Sequence, residues 1–238
     1  MIIAATALHL IPVTLGAGDA HLMLPPSAIQ AACRLDYFLA ENAKTARQFL
    51  KSIGHPRPLR EVQIECFDKD SSLENAVELL KPLLAGRSAG VLSEAGSPAI
   101  ADPGALLVTA AHQLRIRVVP HVGPSAIGLA LMASGFNGQH FSFNGYLPVP
   151  NDECRRSIVA LERESREHDV TQIFIETPYR NDQLLQAFLE TCAANTRLCV
   201  ASDLTLSTES VRSATIAGLK KESLEIGRRP SVFLLYAK

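Results

Sequence analysis

The sequence lacks paired cysteines, tryptophan and any large excess of one charge. Its five cysteines are scattered along 238 residues without a C-x-x-C spacing. An odd, dispersed set argues against a disulfide framework and against a zinc site, and predicts free, buried thiols in a reducing cytoplasm. The net charge of −1 excludes recruitment of nucleic acid or an anionic membrane by a global field. Any contact with RNA would need a local patch.

The first residues contain no acidic residue, lysine or arginine before Asp19. A signal peptide requires a positively charged start, and a membrane-spanning helix requires about 20 apolar residues. Pro12, Gly16 and Gly18 interrupt this apolar run too early. We therefore predict a buried strand that leads into a glycine loop, and no membrane segment.

Several catalytic signatures are absent from the sequence. There is no G-x-S-x-G elbow, no H-E-x-x-H helix and no metal-ligand spacing, so no metal is predicted. Among seven scattered histidines, His121 is notable because it lies beside the Gly123-Pro124 loop.

The first half of the chain alternates short apolar runs with helical patterns. The predicted strands are 7–13, 37–41, 62–67, 89–94 and 117–122, and the predicted helices are 25–34, 43–53, 72–85 and 103–114. Strands this short and uniformly apolar, separated by helices, are typical of βαβ units around a parallel sheet. We predict an N-terminal α/β domain over residues 1–120 with a parallel five-stranded sheet.

The second half has fewer βαβ features. Its predicted helices are a charged one at 152–167 and a second at 181–194. Its predicted strands are 171–176, 197–204 and the apolar last strand, 231–237. The last strand is followed by no helix. We predict a second α/β domain, residues 121–238, with a mixed sheet.

Two loops of the first half are built alike. "SEAGSPAIADPGALL" (Ser93–Leu107) joins a strand to a helix, with Asp102 as a cap and Pro103 as the first helical residue. It is longer than the two to six residues usual for such a loop. "VVPHVGPSAIG" repeats the design, with Ser125 as a possible cap. Two helix N-termini could then face one crevice, although a simple strand-to-helix connection remains the alternative.

A local basic run extends from Asn42 to Arg60. It contains five cationic residues and no acidic one: Lys44, Arg47, Lys51, Arg57 and Arg60. A solvated helix face and a patch that contacts phosphates are both compatible with this run.

Taken together, the loops resemble the tetrapyrrole methylase superfamily of S-adenosylmethionine-dependent methyltransferases. The matching stretches occur in the family's order: "LIPVTLGAGDA", "AGVLSEAGSPAIADPGALLV", "IRVVPHVGPSAIGLALMASGF", "FSFNGYLP", "IFIETPYR", "SDLT" and "SVFLLYA". They look most like the branch of small-subunit ribosomal RNA cytidine 2′-O-methyltransferases. The resemblance implies two α/β domains with S-adenosylmethionine in the cleft between them, usually as a homodimer.

The resemblance also implies a set of site residues. Those implied to bind the cofactor are Glu94, Gly96, Ser97, Ile100, Ala101, Asp102, Gly123, Pro124, Ser125, Ala126, Tyr179, Leu204, Thr205, Pro230, Ser231 and Val232. A hydroxyl acceptor would require a proton acceptor, for which Glu94, Asp102 and Glu176 are candidates. The substrate-binding candidates are Lys44, Arg47 and Lys51.

Two departures from the family pattern leave the acceptor open. The ribosomal RNA branch has "EDTR" where this chain has "ENAK" (Glu41–Lys44), and the family's P-x-G-N-L-G-D loop becomes "PVTLGAGD". The alternatives are a methyltransferase of a tetrapyrrole or other small molecule, and a non-catalytic ligand-binding or scaffold protein that retains the cleft.

Overall fold

The computed structural model describes residues 6–149, 151–222 and 224–238. The chain divides into two compact units, with the division between Ser125 and Ala126. We call them the N-terminal and the C-terminal unit. The domain limit at residue 120 lies a few residues earlier and stays a prediction.

The N-terminal unit contains one parallel sheet. Its strands are β1 (Ala7–Ile11), β2 (Tyr37–Ala40), β3 (Gln63–Cys66), β4 (Ala89–Leu92) and β5 (Arg117–Pro120). They are ordered β3-β2-β4-β1-β5, and every neighbouring pair is parallel. The predicted five-stranded parallel sheet is confirmed.

Helices cover both faces of this sheet. They are α1 (Ala20–Met23), α2 (Pro26–Cys33), α3 (Ala43–Ser52), α4 (Leu73–Leu84) and α5 (Gly104–Gln113). Helices α1–α3 pack on the face that carries Ile11 and Phe38, and α4 and α5 pack on the face that carries Leu8 and Leu39. Burial on both faces is why the inner strands β2 and β4 are continuous apolar runs, whereas the edge strands β3 and β5 are partly exposed and include polar residues.

The strand order creates a switch point between β1 and β4. The chain leaves β1 and crosses to β2 on one side, whereas it leaves β4 and crosses to β5 on the other. Open α/β sheets bind ligands at such a point, outside the carboxyl ends of the strands. The exits of β1 and β4 therefore lie at this switch point. The sequence singled out the loops after β4 and β5, and β1 lies between those two strands.

The C-terminal unit contains a mixed sheet. Its elements are α6 (Ala126–Ser134), β6 (Phe141–Phe143), α7 (Asn151–His168), β7 (Thr171–Glu176), α8 (Asn181–Thr191), β8 (Arg197–Ser202), β9 (Ser210–Thr215), α9 (Ile216–Leu219) and β10 (Ser231–Tyr236). The order is β6-β7-β10-β8-β9, in which β6 and β7 are parallel and the other pairs antiparallel. The prediction of a mixed sheet is confirmed.

The last strand occupies the middle of this sheet. β10 pairs with β7 and β8, and all six of its residues are buried. Phe233 of β10 stacks against Phe188 of α8, which also contacts Phe174 of β7. The chain order of the strands therefore says little about their place in the sheet.

The cysteines are free, as predicted, but they are not all buried. Cys154, Cys192 and Cys199 are buried, and burial raises the pKa of Cys192 to about 12 and that of Cys199 to about 11. Cys66 is exposed because it ends β3, an edge strand of the parallel sheet. Over the described part of the chain, no helix has the length and apolar character required to cross a membrane.

Candidate active site

The loop after β4 has an unusual backbone. Gly96, Ala99 and Ala101 have φ values of 72°, 66° and 61°, in the left-handed region. For an alanine this conformation costs about 1–2 kcal/mol, so other contacts must hold it. The Asp102 carboxylate supplies them, because its Oδ1 accepts hydrogen bonds from the backbone N–H groups of Ala99 and Gly104, both at 2.8 Å. Asp102 therefore organises the loop from inside.

This arrangement corrects the predicted helix start. Helix α5 begins at Gly104, and Pro103 precedes the first helical residue instead of occupying it. The turn is so tight that a Cβ atom at Gly104 would lie 2.9 Å from Asp102 Oδ1. The other oxygen, Oδ2, is buried and has no hydrogen-bond partner within the described residues. Burial raises the pKa of Asp102, against the two backbone hydrogen bonds that lower it.

Three strand-exit loops contact one another around Gly96. Val13, which follows β1, donates its backbone N–H to the Gly96 carbonyl at 2.9 Å. Ser97 donates its hydroxyl to the carbonyl of Pro124, which follows β5, at 3.1 Å. Gly123 lies so close to the β1 exit that a Cβ atom there would be 2.2 Å from Pro12 Cβ. The two loops singled out in the sequence are thus adjacent, and the β1 exit contacts both.

Carboxylates gather at the ends of β2 and β4. Glu94 is exposed, and its Oε1 accepts a hydrogen bond from the Thr45 hydroxyl, with 2.6 Å between the two oxygens. Burial raises the pKa of Glu41, which follows β2, and the charges of Asp102 and Glu94 raise it further. The sequence prediction missed both Glu41 and Thr45 as site residues. The "ENAK" stretch (Glu41–Lys44) includes Glu41 but ends one residue before Thr45. The proximity of both residues to Glu94 depends on β2 and β4 being neighbours.

A polar cavity of about 350 Å³ opens beside Glu94. The glycine loop after β1 forms one wall, and helix α3 forms another with Thr45, Gln48, Phe49 and Ser52. These four positions recur every three or four residues, so they share one face of the helix. The cavity therefore presents hydroxyl and amide groups together with one aromatic ring.

The predicted basic residues lie on an adjacent face of α3. Lys44, Arg47 and Lys51 are all exposed, again at helical spacing. The Asn42 side chain caps this helix by accepting the backbone N–H of Lys44 at 2.8 Å. No ion pair to these three cations is present in the part of the chain that the structure describes. We call them the α3 basic face.

The rest of the basic run does not join this face. Arg57 forms a 2.7 Å ion pair with Asp36, and Arg60 lies 3.8 Å from Glu61. Both cations therefore have acidic partners, so only the first three residues of the run form an unneutralised patch.

The site residues assigned to the C-terminal unit gather at one end of its sheet. The Asp203 N–H donates to the Pro230 carbonyl at 3.0 Å, and the hydroxyls of Ser202 and Ser231 lie 2.7 Å apart. These contacts place Leu204, Thr205 and Val232 near one another, although Leu204 and Val232 are buried. Tyr179, at the end of β7, is 77% exposed beneath the Arg228 guanidinium.

Glu176 differs from the other two candidate proton acceptors. Its side chain exposes no surface, its Oε1 accepts the Thr177 N–H at 2.7 Å, and its Oε2 lies 3.3 Å from an Arg180 nitrogen. Glu94, in contrast, is exposed and borders a cavity.

Comparison with known proteins identifies the family. The family description "Tetrapyrrole (Corrin/Porphyrin) Methylases" matches residues 9–220, which is most of the chain. The chain belongs to the tetrapyrrole methylase family. It is therefore a methyltransferase, and its strand-exit loops are those of a tetrapyrrole methylase. No cluster of three or more potential metal ligands occurs among the described residues of this methylase.

Several relatives of this tetrapyrrole methylase carry the name "Ribosomal RNA small subunit methyltransferase I". That of Xylella fastidiosa (strain Temecula1 / ATCC 700964) is 34% identical over 90% of this chain and 74% of its own length. That of Vibrio cholerae is 36% identical over 61% of this chain and 49% of its own length. That of Mesorhizobium japonicum is 31% identical over 81% of this chain and 62% of its own length.

A solved structure shares the fold. The methyltransferase CobJ superposes with a TM-score of 0.63 over 98% of this chain and 94% of its own, at 15% identity. The predicted α/β fold, with one parallel and one mixed sheet, is thus confirmed independently of sequence similarity.

Proposed function

We propose that this tetrapyrrole methylase transfers a methyl group from S-adenosylmethionine to the 2′-hydroxyl of a cytidine in small-subunit ribosomal RNA. The names of its relatives support the acceptor. The observation that carries the proposal is the Glu94 carboxylate, which Thr45 holds at the mouth of a polar cavity beside the α3 basic face.

The loops suit this cofactor chemically. S-adenosylmethionine carries no phosphate, so the loops need no phosphate-binding lysine. Its amino, carboxylate and adenine groups can be bound by backbone N–H and carbonyl groups, which are accessible where the loops carry no bulky side chain. Gly123, which is only partly buried, is such a position. Gly96 is buried and lets the exits of β1 and β5 pack closely against its loop, and the unpartnered Asp102 Oδ2 adds a hydrogen-bond acceptor. We propose that the cofactor-binding residues are those implied by the resemblance, except that Glu94 serves the acceptor.

The protein's part in the reaction is to position and deprotonate the acceptor. Bound cofactor would supply an electrophilic methyl group on a sulfonium sulfur. The acceptor oxygen would bond to the methyl carbon in line with the carbon–sulfur bond, which would break and release S-adenosylhomocysteine. We propose that Glu94 takes the hydroxyl proton as the new oxygen–carbon bond forms. Thr45 occupies Oε1, and Oε2 accepts no hydrogen bond from the described residues, so Oε2 is free to take the proton.

The polar cavity fits the nucleoside that carries this hydroxyl. A volume of about 350 Å³ admits a pyrimidine ring. Phe49 offers a ring for stacking, and the Gln48 amide offers both a donor and an acceptor for the edge of the base. We propose that Gln48 and Phe49 hold the acceptor base.

The α3 basic face is expected to contact RNA phosphates. Replacing Lys44, Arg47 and Lys51 together with glutamine should weaken RNA binding and reduce its salt dependence. If each contacts one phosphate of a single strand, the slope of log K against log[salt] becomes less negative by about 2. Fluorescence anisotropy from 50 to 300 mM salt measures this slope.

A matched control removes three charges elsewhere. Arg163, Lys220 and Lys221 are exposed residues of the C-terminal unit, and their replacement with glutamine should leave the slope unchanged. Equal slopes for the two triple variants would contradict a role of the α3 basic face.

The proposed function is tested by binding and by transfer. Calorimetry should detect binding of S-adenosylmethionine and S-adenosylhomocysteine, and the absence of heat at high micromolar ligand would refute the cofactor. Labelled methyl should then enter small-subunit ribosomal RNA at a cytidine. Transfer to a porphyrinoid, with none to RNA, would favour the small-molecule alternative.

We also propose a cytoplasmic homodimer, for which light scattering after gel filtration should give twice the mass of one chain.

A further inference from the structure

A second cavity, of about 530 Å³, lies elsewhere in the N-terminal unit. It opens on the face covered by α1–α3, between α2 and the strands β1 and β5. The polar and charged residues that line it are His9, Ser27, Gln30, Arg34, Asp36, Arg87, Ser88 and His121. Ser88 precedes β4, at the amino end of the sheet, whereas His121 follows the carboxyl end of β5, beside the Gly123-Pro124 loop of the candidate active site. We call this second cavity the histidine cavity.

The helix that borders this cavity has two distinct faces. Ala28, Ile29 and Ala32 of α2 are buried against the sheet. Ser27, Gln30 and Arg34 recur at helical spacing on the adjacent face, which borders the cavity. The cavity therefore presents polar groups on the helix side, beside the apolar side chains of Ala31 and Leu35.

Two histidines from neighbouring strands form the opposite wall. His9 Nδ1 lies 3.0 Å from His121 Nε2, and the rings stack at 24° with centroids 5.3 Å apart. One N–H must bridge these nitrogens, because two lone pairs would repel. The neutral pair then offers one N–H donor and one acceptor outward. A pair with one added proton offers two donors and a positive charge.

The fixed charges around the pair are mostly positive. The charged groups near the cavity and the pair are Arg34, Asp36, Arg57, Arg87 and Arg117. The single carboxylate, Asp36, is paired with Arg57 at 2.7 Å and Arg87 at 3.0 Å. Arg34 has no ion-pair partner among residues 6–149, 151–222 and 224–238. An anion entering the cavity would therefore meet uncompensated positive charge.

We propose that the histidine cavity binds a phosphate-type anion, held by the Arg34 guanidinium and by the outward N–H groups of a singly protonated His9–His121 pair. Arg34 supplies parallel donors that match two oxygens of such an anion. Ser27 and Ser88 add hydroxyl groups on either side. The proposal does not depend on methyl transfer.

The site should take up a proton when it fills. Burial lowers the pKa of both histidines, and the charges of His121 and Arg117 lower that of His9 further. The empty pair is therefore neutral near pH 7.5. A bound anion favours the charged form, so it raises the pKa of the pair, and binding tightens as the pH falls. The apparent affinity should rise by at most about tenfold per pH unit, the limit for one proton.

Sulfate is a suitable probe because its charge is constant above pH 5. Sulfate titrations of the full chain, followed by the imidazole ring NMR signals of His9 and His121, should show saturable shifts that tighten from pH 8 to pH 6. The Arg34→Gln variant should weaken sulfate binding about tenfold, the scale of one bidentate charged contact. Arg163→Gln, a charge-matched control on α7, should change it less than twofold. His121→Gln should bind weakly and lose most of the pH dependence.

Two further titrations distinguish the sources of the anion. If inorganic phosphate and adenosine monophosphate bind and a short oligoribonucleotide does not, the ligand is a small phosphorylated molecule. If only the oligoribonucleotide shifts His9, with sensitivity to Arg34→Gln, the ligand is an RNA backbone phosphate. The proposal is overturned if none of the probes shifts the two histidines, or if binding is equally tight in Arg34→Gln and wild type.

Discussion

Replacing Glu94 with glutamine is expected to slow methyl transfer by about 100- to 10,000-fold, the range typical of a lost general base. Glutamine has the same size, and its amide oxygen can still accept the hydrogen bond from the Thr45 hydroxyl, so the local structure should persist. It cannot take the proton of the acceptor. The fall should therefore appear in the single-turnover rate, with binding of S-adenosylmethionine changed by less than about twofold.

Variants of Thr45 separate positioning from catalysis. Thr45→Val removes the hydroxyl that holds Glu94 Oε1 and should slow transfer by about tenfold, because the carboxylate is then less well oriented. Thr45→Ser retains the hydroxyl and should restore most of the rate. A merely structural role of Thr45 would lower thermal stability without this rescue pattern.

Two outcomes would contradict the assignment of Glu94. The first is a Glu94→Gln enzyme with a wild-type single-turnover rate. The second is a variant that fails only because S-adenosylmethionine no longer binds, which would return Glu94 to the cofactor-binding set. Glu176→Gln is the comparison: its carboxylate is enclosed beside Arg180, so its loss should reduce the melting temperature more than the rate of the folded enzyme.

Replacing Gly123 with alanine is expected to weaken S-adenosylmethionine binding more than tenfold. The added Cβ atom would lie 2.2 Å from Pro12 Cβ, far inside van der Waals contact, and neither proline nor backbone can move aside cheaply. The exits of β1 and β5 must therefore separate. The carbonyl of Pro124, the next residue, accepts a hydrogen bond from the Ser97 hydroxyl, so the shift should spread to the loop after β4.

The same substitution should also destabilise the fold. Overpacking of this kind costs about 1–3 kcal/mol. In a chain of this size each kcal/mol lowers the melting temperature by about 2–4 °C. Calorimetric titration and a thermal melt on the same preparation measure both effects.

Gly138→Ala is the matched control. It makes the same chemical change in the loop between α6 and β6, where a Cβ atom would meet nothing within 4 Å. Binding and melting temperature should be unchanged within error. Wild-type affinity in folded Gly123→Ala would show that the contact between the β1 and β5 exits is not needed for the cofactor site.

Most of the secondary structure could be predicted from the sequence. The inner strands β2 and β4 of the parallel sheet are buried on both faces, so their apolar runs are short, continuous and bounded by turn residues. All five parallel strands were found. The charged helix at α7 and the apolar strand at β10 were equally clear. β9 was missed because its sequence, "SVRSAT", belongs to a half-exposed edge strand rich in small polar residues. Four-residue helices such as α1 leave almost no periodic signal.

The loops of the candidate site were also recognisable, because glycine, proline and aspartate mark backbone conformations that few other residues adopt. Their roles were not. The sequence left Asp102 open as a proton acceptor, a cofactor ligand and a helix cap, and the structure shows one of its oxygens occupied by two backbone N–H groups.

The sequence by itself determined most of the strands, the longer helices and which loops are unusual, because these depend on local periodicity and on backbone preference. Only the tertiary structure decided that β1 lies between β4 and β5, that Glu41 and Thr45 lie beside Glu94, and that His9 meets His121. Contacts between residues that are 49 or 112 positions apart depend on strand order. Strand order is set by which apolar faces pack together, and a single chain's local pattern does not encode that choice.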